Sequence, residues 1–328
     1  MNTKNTILAL LEQNRGKPIS GARIAEQLNI SRNAVWKAIN SLKEDGYAIE
    51  SVSNRGYTLL TNNNILSAAG IVPYLTNKEH EANIHILKSV DSTNNAAKEM
   101  AIAGAAHGTV IIAETQTAGR GRYGRSFYSP PLGGLYMSII LRTKFLGLTD
   151  TTHITASAAV AVCRAIETVT GVAPKIKWVN DIFLDDKKIC GILTEAVTDF
   201  ESGSIDWIVI GMGINVTTND FPDDVQNIAT SIFAVGSNDD NATVRSRIAA
   251  ELINIFLSPD SQIFDPKIYA EYKEKSMLIG RTVTVIGSDE PYEATAIDID
   301  EQCRLIVRKS NNSITALSTG EVSVKLFN

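Results

Sequence analysis

The hydrophobic pattern of this chain changes twice, near residue 60 and again near residue 277, and this segmentation limits the fold more than any single motif. Before residue 60, apolar residues recur at helical spacing. From about residue 65, helix-like and strand-like runs alternate. Beyond 277, short strand-like runs separated by polar turns remain. A chain of 328 residues is also too long for one compact core. The expected organisation is therefore a multidomain α+β protein with units at 1–62, 65–275 and 277–328. The polar, turn-prone Thr61-Asn62-Asn63-Asn64 is read as the first linker.

In the first unit, Ile7, Leu8, Leu10 and Leu11 mark an amphipathic helix that ends near Gly16-Lys17-Pro18. Ser20 is placed to cap a short second helix carrying Ile24, Ala25 and Leu28. Ser31 caps a third, in which Val35, Ile39 and Leu42 form one buried face and Arg32, Asn33, Lys37 and Asn40 the opposite one. Two strand-like runs, 47–52 and 57–60, follow around Ser53-Asn54-Arg55-Gly56. This order predicts a winged helix–turn–helix whose third helix enters the DNA major groove. Ser31, Arg32, Asn33 and Asn40 then lie near base edges, and Lys37 and Arg55 suit phosphates. Trp36 is expected to pack under the wing. The structural alternative is a three-helix packing or dimerisation module. Charge distribution favours DNA: residues 1–60 hold eight Lys and Arg against five Asp and Glu, whereas the remainder carries a net charge of −8.

Composition removes several other classes. No run approaches the roughly 18 apolar residues of a membrane span, and residues 1–11 do not read as a signal peptide. Cys163, Cys190 and Cys303 are too few and too scattered for a disulfide framework or a cysteine zinc site, which fits a reducing cytoplasm. The four histidines show no metal spacing, so no structural metal is expected.

In the second unit, strand-like runs at 84–87, 109–113, 135–141, 189–195 and 207–211 follow one another closely. Helix-like runs occur at 94–103 and 152–170. The expectation is one large sheet, and not a doubly wound Rossmann fold. Three segments stand out. Thr115-Gln116-Thr117-Ala118-Gly119-Arg120-Gly121-Arg122-Tyr123-Gly124-Arg125 alternates close-approach glycines with planar cations, as an anion-binding loop would. Read blandly, it is a solvated basic loop. There is no G-x-x-x-x-G-K-[ST], so a P-loop is excluded as the phosphate binder. Lys177-Trp178-Val179-Asn180-Asp181 precedes Asp185-Asp186-Lys187-Lys188, which reads either as a solvated hairpin turn or as a device that aims Lys188 into a site. Gly211-Met212-Gly213-Ile214-Asn215 is expected to end a strand.

Together, Asp91-Ser92-Thr93-Asn94, Gly119-Arg120-Gly121-Arg122-x-Gly124-Arg125, Lys177-Trp178-x-Asn180-Asp181, Lys188-x-x-Gly191-Ile192-Leu193 and Gly211-x-Gly213-x-Asn215 resemble the bacterial biotin–protein ligases. With a helix–turn–helix in front, the chain is similar to the bifunctional members that also repress biotin genes. One departure is Val179, where the family usually has Pro. Its loss of a fixed φ is expected to loosen the turn without removing any reactive group.

The resemblance implies a class II synthetase-like catalytic sheet and a small C-terminal SH3-like β-barrel. It implies that biotin, ATP and Mg2+ yield biotinyl-5′-AMP, whose acyl group passes to a lysine of a biotin carrier domain of a carboxylase. Lys188, Arg122, Lys177 and Asp181 become the catalytic candidates. Ser92, Thr93, Asn94, Gln116, Gly119, Arg120, Arg122, Lys188 and Gly191 become the biotin contacts, with Gly191 and Gly213 leaving room for the ring. Arg120, Arg122, Arg125, Lys177, Asn180 and Asn215 become the adenylate contacts. Asp181 is open between orienting the incoming amine and helping to hold magnesium. Operator DNA is the second partner, read by a homodimer that forms when biotinyl-AMP binds. Rivals are a lipoate–protein ligase and a non-catalytic biotin-sensing regulator.

Overall fold

The computed structural model describes residues 3–52, 55–145, 150–198, 205–233, 242–286, 290–318 and 320–324. Near the N-terminus three helices form, α1 (Thr3–Gln13), α2 (Gly21–Gln27) and α3 (Arg32–Glu44). The Ser20 and Ser31 hydroxyls each accept a first-turn N–H, from Arg23 and Ala34 at 3.1 Å, so both serines cap as their sequence positions predict. Strands β1 (Ile49–Val52) and β2 (Gly56–Leu59) pair antiparallel, with Ile49 opposite Leu59. Ser53 and Asn54, read as part of the tip between them, lie outside the described residues. Ile7, Leu11, Ile24, Val35, Ile39, Leu42 and Leu59 close a small core of their own.

The segment read as the first linker is bonded to its surroundings. Asn63 is buried, its Oδ1 accepts the Ala48 N–H at 3.1 Å, and its carbonyl accepts from Arg15 at 2.9 Å. Such bonds satisfy backbone groups that a solvated linker would leave to water.

Beyond it come α4 (Ala68–Ile71), β3 (Ile84–Leu87), α5 (Thr93–Ile102), β4 (Thr109–Ala113), β5 (Gly134–Arg142), α6 (Thr151–Thr170), β6 (Lys175–Lys177), β7 (Asp181–Leu184), β8 (Lys187–Thr198) and β9 (Ile205–Asn215). The strands form one seven-stranded mixed sheet, ordered β3-β4-β5-β9-β8-β7-β6. Only β3 and β4 pair parallel. Two further helices are α7 (Val244–Leu257) and α8 (Ile268–Glu274). One sheet face is covered by α6 and α7, and α8 packs against α6. The other is covered by α5, whose Ala97 and Ala101 meet Ile111, Ile140, Trp207 and Val209. Among the described residues, no helix is long and apolar enough to cross a membrane.

The segment 211–215 ends β9, as expected, and its glycines are paired on both sides, by β5 and β8. The remaining strands, β10 (Thr282–Ile286), β11 (Tyr292–Ile299), β12 (Leu305–Lys309), β13 (Ile314–Leu317) and β14 (Glu321–Val324), form a five-stranded antiparallel sheet, β13-β12-β11-β10-β14. Its apolar residues Val283, Ala296 and Leu305 join the main core.

Candidate functional site

A cavity of about 980 Å³ opens beside β9 and is lined by residues from every one of the three sequence segments. One end is neutral. Ser92 and Thr93 lie at the start of α5, both buried. The Thr93 N–H donates to Gln116 Oε1 at 2.8 Å, and Gln116 Nε2 donates to the Ser129 hydroxyl at 2.9 Å, which in turn points at the Phe127 carbonyl at 3.0 Å. A Cβ on Gly119 would come within 2.5 Å of that carbonyl, so this position needs glycine. Asn94, a predicted ligand contact, lines the cavity while its Nδ2 donates to the Leu193 carbonyl and to Glu195. A Cβ on Gly211 would sit 2.0 Å from Asn94 Oδ1, and one on Gly213 would sit 2.6 Å from the Phe127 ring. Phe127 thus lies close over Gly213, and both line the cavity.

The Gly-Arg loop folds back on itself. The Gly121 N–H donates to the Arg125 carbonyl at 2.7 Å and the Phe127 N–H to the Gly119 carbonyl at 2.9 Å. Tyr123 and Gly124, both at positive φ, make the reversal. Arg120 reaches Asn95 Oδ1 at 3.3 Å. Asn95 also donates to Asp91 at 2.5 Å, and this bond, backbone N–H donation and the Arg120 charge hold the Asp91 carboxyl below its ordinary range. Arg122 donates to Asn180 Oδ1 at 3.2 Å and to the Tyr123 hydroxyl at 3.2 Å. Arg125 is exposed on the same loop and still lines the cavity.

The cationic end comes from the hairpin of β7 and β8. Asp185 and Asp186 both take positive φ, 48° and 58°, as a tight two-residue hairpin turn requires. That turn sets Lys188 at the second position of β8, where its Nζ pairs with Asp181 Oδ1 at 2.7 Å across the hairpin. Both readings of the Asp-Asp-Lys-Lys segment thus apply at once. Asp181, left open between two roles, has Lys188 as its partner here. Lys177 lies over the Phe183 ring at 5.3 Å. Asn180 Nδ2 donates to the Ile192 carbonyl at 2.8 Å, and Gly191 leaves space filled by the Lys188 chain. Asn215 donates to the Thr230 carbonyl at 3.3 Å while its buried Oδ1 has no partner. Cys190, also on β8, has its thiol pushed well above the ordinary range by burial, so it stays protonated and is no nucleophile.

The turn before Val179, expected to be loosened by the absence of proline, is held from two sides. Trp178 Nε1 donates to the Cys303 carbonyl at 2.9 Å, and the Tyr272 hydroxyl to the Val179 carbonyl at 2.9 Å. The Trp178–Val179 peptide is cis.

Sequence reasoning missed Phe127, Ser129, Ser138, Glu195 and Lys98, all in or immediately behind the cavity wall. Ser138 had a signal, being the hydroxyl in an otherwise apolar stretch of β5; Phe127 had none.

Away from the cavity, Ser31, Arg32, Asn33 and Lys37 are exposed along the outer face of α3, with Asn40 half-buried and Arg55 exposed at the hairpin. Trp36 is not packed under the hairpin; it is 54% exposed on that outer face. Its spacing explains this, since residues 33, 36, 37 and 40 share one helical face opposite Val35, Ile39 and Leu42.

Comparison with known proteins gives three matches along the chain: an HTH domain over residues 3–58, the Biotin/lipoate A/B protein ligase family over 86–215, and the Biotin protein ligase C terminal domain over 278–325. The bifunctional ligase/repressor BirA of Bacillus subtilis is 33% identical over 324 residues, 98% of each chain. That of Escherichia coli is 28% identical, covering 97% of this chain and 96% of the relative. Among solved structures, the biotin protein ligase of Aquifex aeolicus in complex with biotin and ATP aligns with a TM-score of 0.56 at 27% identity, over 74% of this chain and 98% of that one. A cavity with a neutral and a cationic end, behind a helix–turn–helix head, is thus found in a chain that belongs to the bifunctional ligase/repressor branch of the biotin protein ligase family.

Proposed function

We propose that the cavity joins biotin to ATP as biotinyl-5′-AMP and passes the biotinyl group to a lysine of a carboxylase carrier domain. The carrying observation is the polarity of this cavity, with Ser92, Thr93 and Gln116 at one end and Arg122, Lys177 and Lys188 at the other. An uncharged cyclic urea suits hydroxyls and amides. A carboxylate approaching a triphosphate brings two anions together and needs fixed cations. The carboxylate oxygen attacks the α-phosphorus and pyrophosphate leaves. The carrier amine then attacks the acyl carbon, loses a proton, and AMP leaves.

Lys188 and Arg122 stabilise charge on the α-phosphate and the transferring carboxylate, and Lys177 supports them. Arg120, Arg125, Asn180 and Asn215 contact the adenylate, while Gly119 and Gly191 allow close approach of the ligand. Among the described residues no group of three His, Cys, Asp or Glu could hold a metal ion. Magnesium would enter as an ion carried by the triphosphate, with Asp181 and the partnerless Asn215 Oδ1 as the cavity oxygens that would hold it. Bound there, it would neutralise phosphate charge.

The head is proposed to be a winged helix–turn–helix in which β1 and β2 form the wing. Ser31, Arg32, Asn33 and Asn40 read base edges, and Lys37 and Arg55 meet phosphates of the operator. Two heads fit a two-fold operator in a homodimer that forms when biotinyl-AMP binds. The units 1–62, 65–275 and 277–328 are taken as head, class II synthetase-like ligase and SH3-like barrel. The buried thiols of Cys163, Cys190 and Cys303 suit a reducing cytoplasm.

The test is incubation with α-labelled ATP, magnesium and either biotin or lipoate. Adenylate with biotin only is expected, and Lys188→Ala should lower the rate about 10²–10³-fold, as loss of one transition-state donor does. Adenylate with neither acid would replace this reading with that of a ligand-sensing regulator.

A further inference from the structure

Behind the neutral end of the cavity, five side chains form a hydrogen-bond chain whose direction can be worked out atom by atom. Lys98 Nζ donates to Glu195 Oε1 at 2.7 Å, leaving Oε2 as an acceptor. Asn94 Nδ2 stands 2.8 Å from Glu195 Oε2 and 3.1 Å from the Leu193 carbonyl. Both neighbours only accept, so the amide nitrogen must face them and Oδ1 must face Ser138. The Ser138 hydroxyl, 2.7 Å from Asn94 Oδ1, has one proton and gives it there. It therefore cannot donate to Thr93 Oγ1, 2.8 Å away, so that contact needs Thr93 as the donor. Gln116 Oε1, 3.2 Å from Thr93 Oγ1, is also an acceptor because it already takes the Thr93 N–H. Either way the Thr93 proton is held inside the protein. What Thr93 turns toward the cavity is a lone pair.

We infer that Asn94 and Ser138, oriented by Glu195 and Lys98, are positioning residues that make Thr93 an obligate acceptor, and so select ligands that present an N–H at the buried end of the cavity. A threonine hydroxyl is otherwise a free rotor that can give or take a hydrogen bond, and would tolerate an oxygen in place of that N–H. The direction is imposed from the outer rim of this network, outside the cavity lining, where the Lys98–Glu195 pair is about one-quarter exposed on each side. It is transmitted inward by two residues that are wholly or almost wholly buried. Gly211 belongs to the device, since a Cβ there would strike Asn94 Oδ1.

This inference rests on the proposal that the cavity binds biotin, and the experiment separates the two. Binding of biotin is compared by calorimetry with that of two cyclic carbamates, each with one ring N–H replaced by oxygen. In the parent protein at least one carbamate should bind about tenfold or more weakly, because two lone pairs are then buried face to face. In Ser138→Ala the Thr93 hydroxyl keeps one internal acceptor, Gln116 Oε1 at 3.2 Å, in place of two, so it turns more readily and this ratio should fall even if biotin itself binds less well. Glu195→Gln, at the rim, guards against a folding failure. Beside cationic Lys98 the new amide turns its oxygen to the lysine and its NH₂ to Asn94, which opposes the required Asn94 orientation, so the ratio should fall again. Adding Lys98→Met to Glu195→Gln lets the amide oxygen return to Asn94, and the ratio should recover. A purely structural role would weaken all three ligands together and leave the ratio unchanged, and that result overturns the inference while leaving biotin binding intact. Failure of the parent protein to bind biotin overturns the functional reading and this inference together.

Discussion

Gly211 carries the most consequence for its size. It lies mid-strand in β9, and a methyl group there would stand 2.0 Å from Asn94 Oδ1, against a helix that cannot retreat without leaving the sheet. Gly211→Ala is expected to cost about 1–3 kcal/mol of stability, the usual range for overpacking a filled core. It should also weaken biotin binding in the folded fraction; urea unfolding and calorimetry on the same sample check both. Unchanged stability would mean that Asn94 has another place to go. At this scale the sequence was uneven in what it disclosed. Glycines and arginines in a tight run announced a close-approach anion loop, and Ser138 was visible as a polar interruption of β5. Phe127 was not visible, because nothing in one phenylalanine says that its ring fills the space over a glycine some 86 positions away in the chain. Asn94 was placed in the site by motif and does line the cavity, but its bonds to Leu193, Glu195 and Ser138 were not visible in the sequence.

Among the elements, α3 shows how far periodicity reaches. Its buried face, its cap and its polar face all follow from 3.6-residue spacing, and each is where the sequence puts it. Removing the cap with Ser31→Ala should cost about 1 kcal/mol, read as a lower urea midpoint without loss of ligase activity. If the head reads an operator as proposed, Lys37→Ala should weaken specific and non-specific DNA alike and reduce the salt slope by about one. Asn33→Ala should instead reduce discrimination between operator and other DNA, leaving the slope unchanged. The reverse pattern would reassign the two contacts. Two elements went unread for different reasons. The stretch that forms α7 carries a polar stripe, Arg247, Glu251 and Asn254, beside the buried Ile248, Leu252 and Ile255, and the sequence reading passed over it. Strand β6 has three residues, too few to show any alternation.

For the whole molecule the informative residue is Arg245 on α7, which is 1% exposed. Its guanidinium donates to Glu114 Oε2 at 2.8 Å and to the Gly134 carbonyl at 3.1 Å, while Nε donates to Asn64 Oδ1 at 2.9 Å and another nitrogen to the Asn64 carbonyl. Glu114 Oε1 also takes the Leu66 N–H at 2.7 Å, and Asn64 Nδ2 donates to the Leu132 carbonyl at 3.0 Å. One buried cation therefore ties the polar stretch behind the head to the start of β5 and to the residue just before Thr115 and Gln116 in the cavity wall. The head is further tied by Asp45 to Lys88 at 2.8 Å, though the lysine there is largely exposed and the pair contributes little. Composition marked this stretch as a linker because Asn and Thr favour turns. The partner that turns it into a joint is some 180 residues away and could not be read from it. Arg245→Met should destabilise the protein by about 3–5 kcal/mol, since it leaves the Glu114 carboxylate buried without its cation. Hydrogen exchange is the sharper test. Protection should be lost first at Leu66 and Asn63, while amides of the α1–α3 core keep theirs, because that core is closed by its own apolar residues. If protection falls evenly across head and body, Arg245 is merely part of the core; if it falls at the joint, the orientation of the head is set by a bond network that ends at the cavity wall.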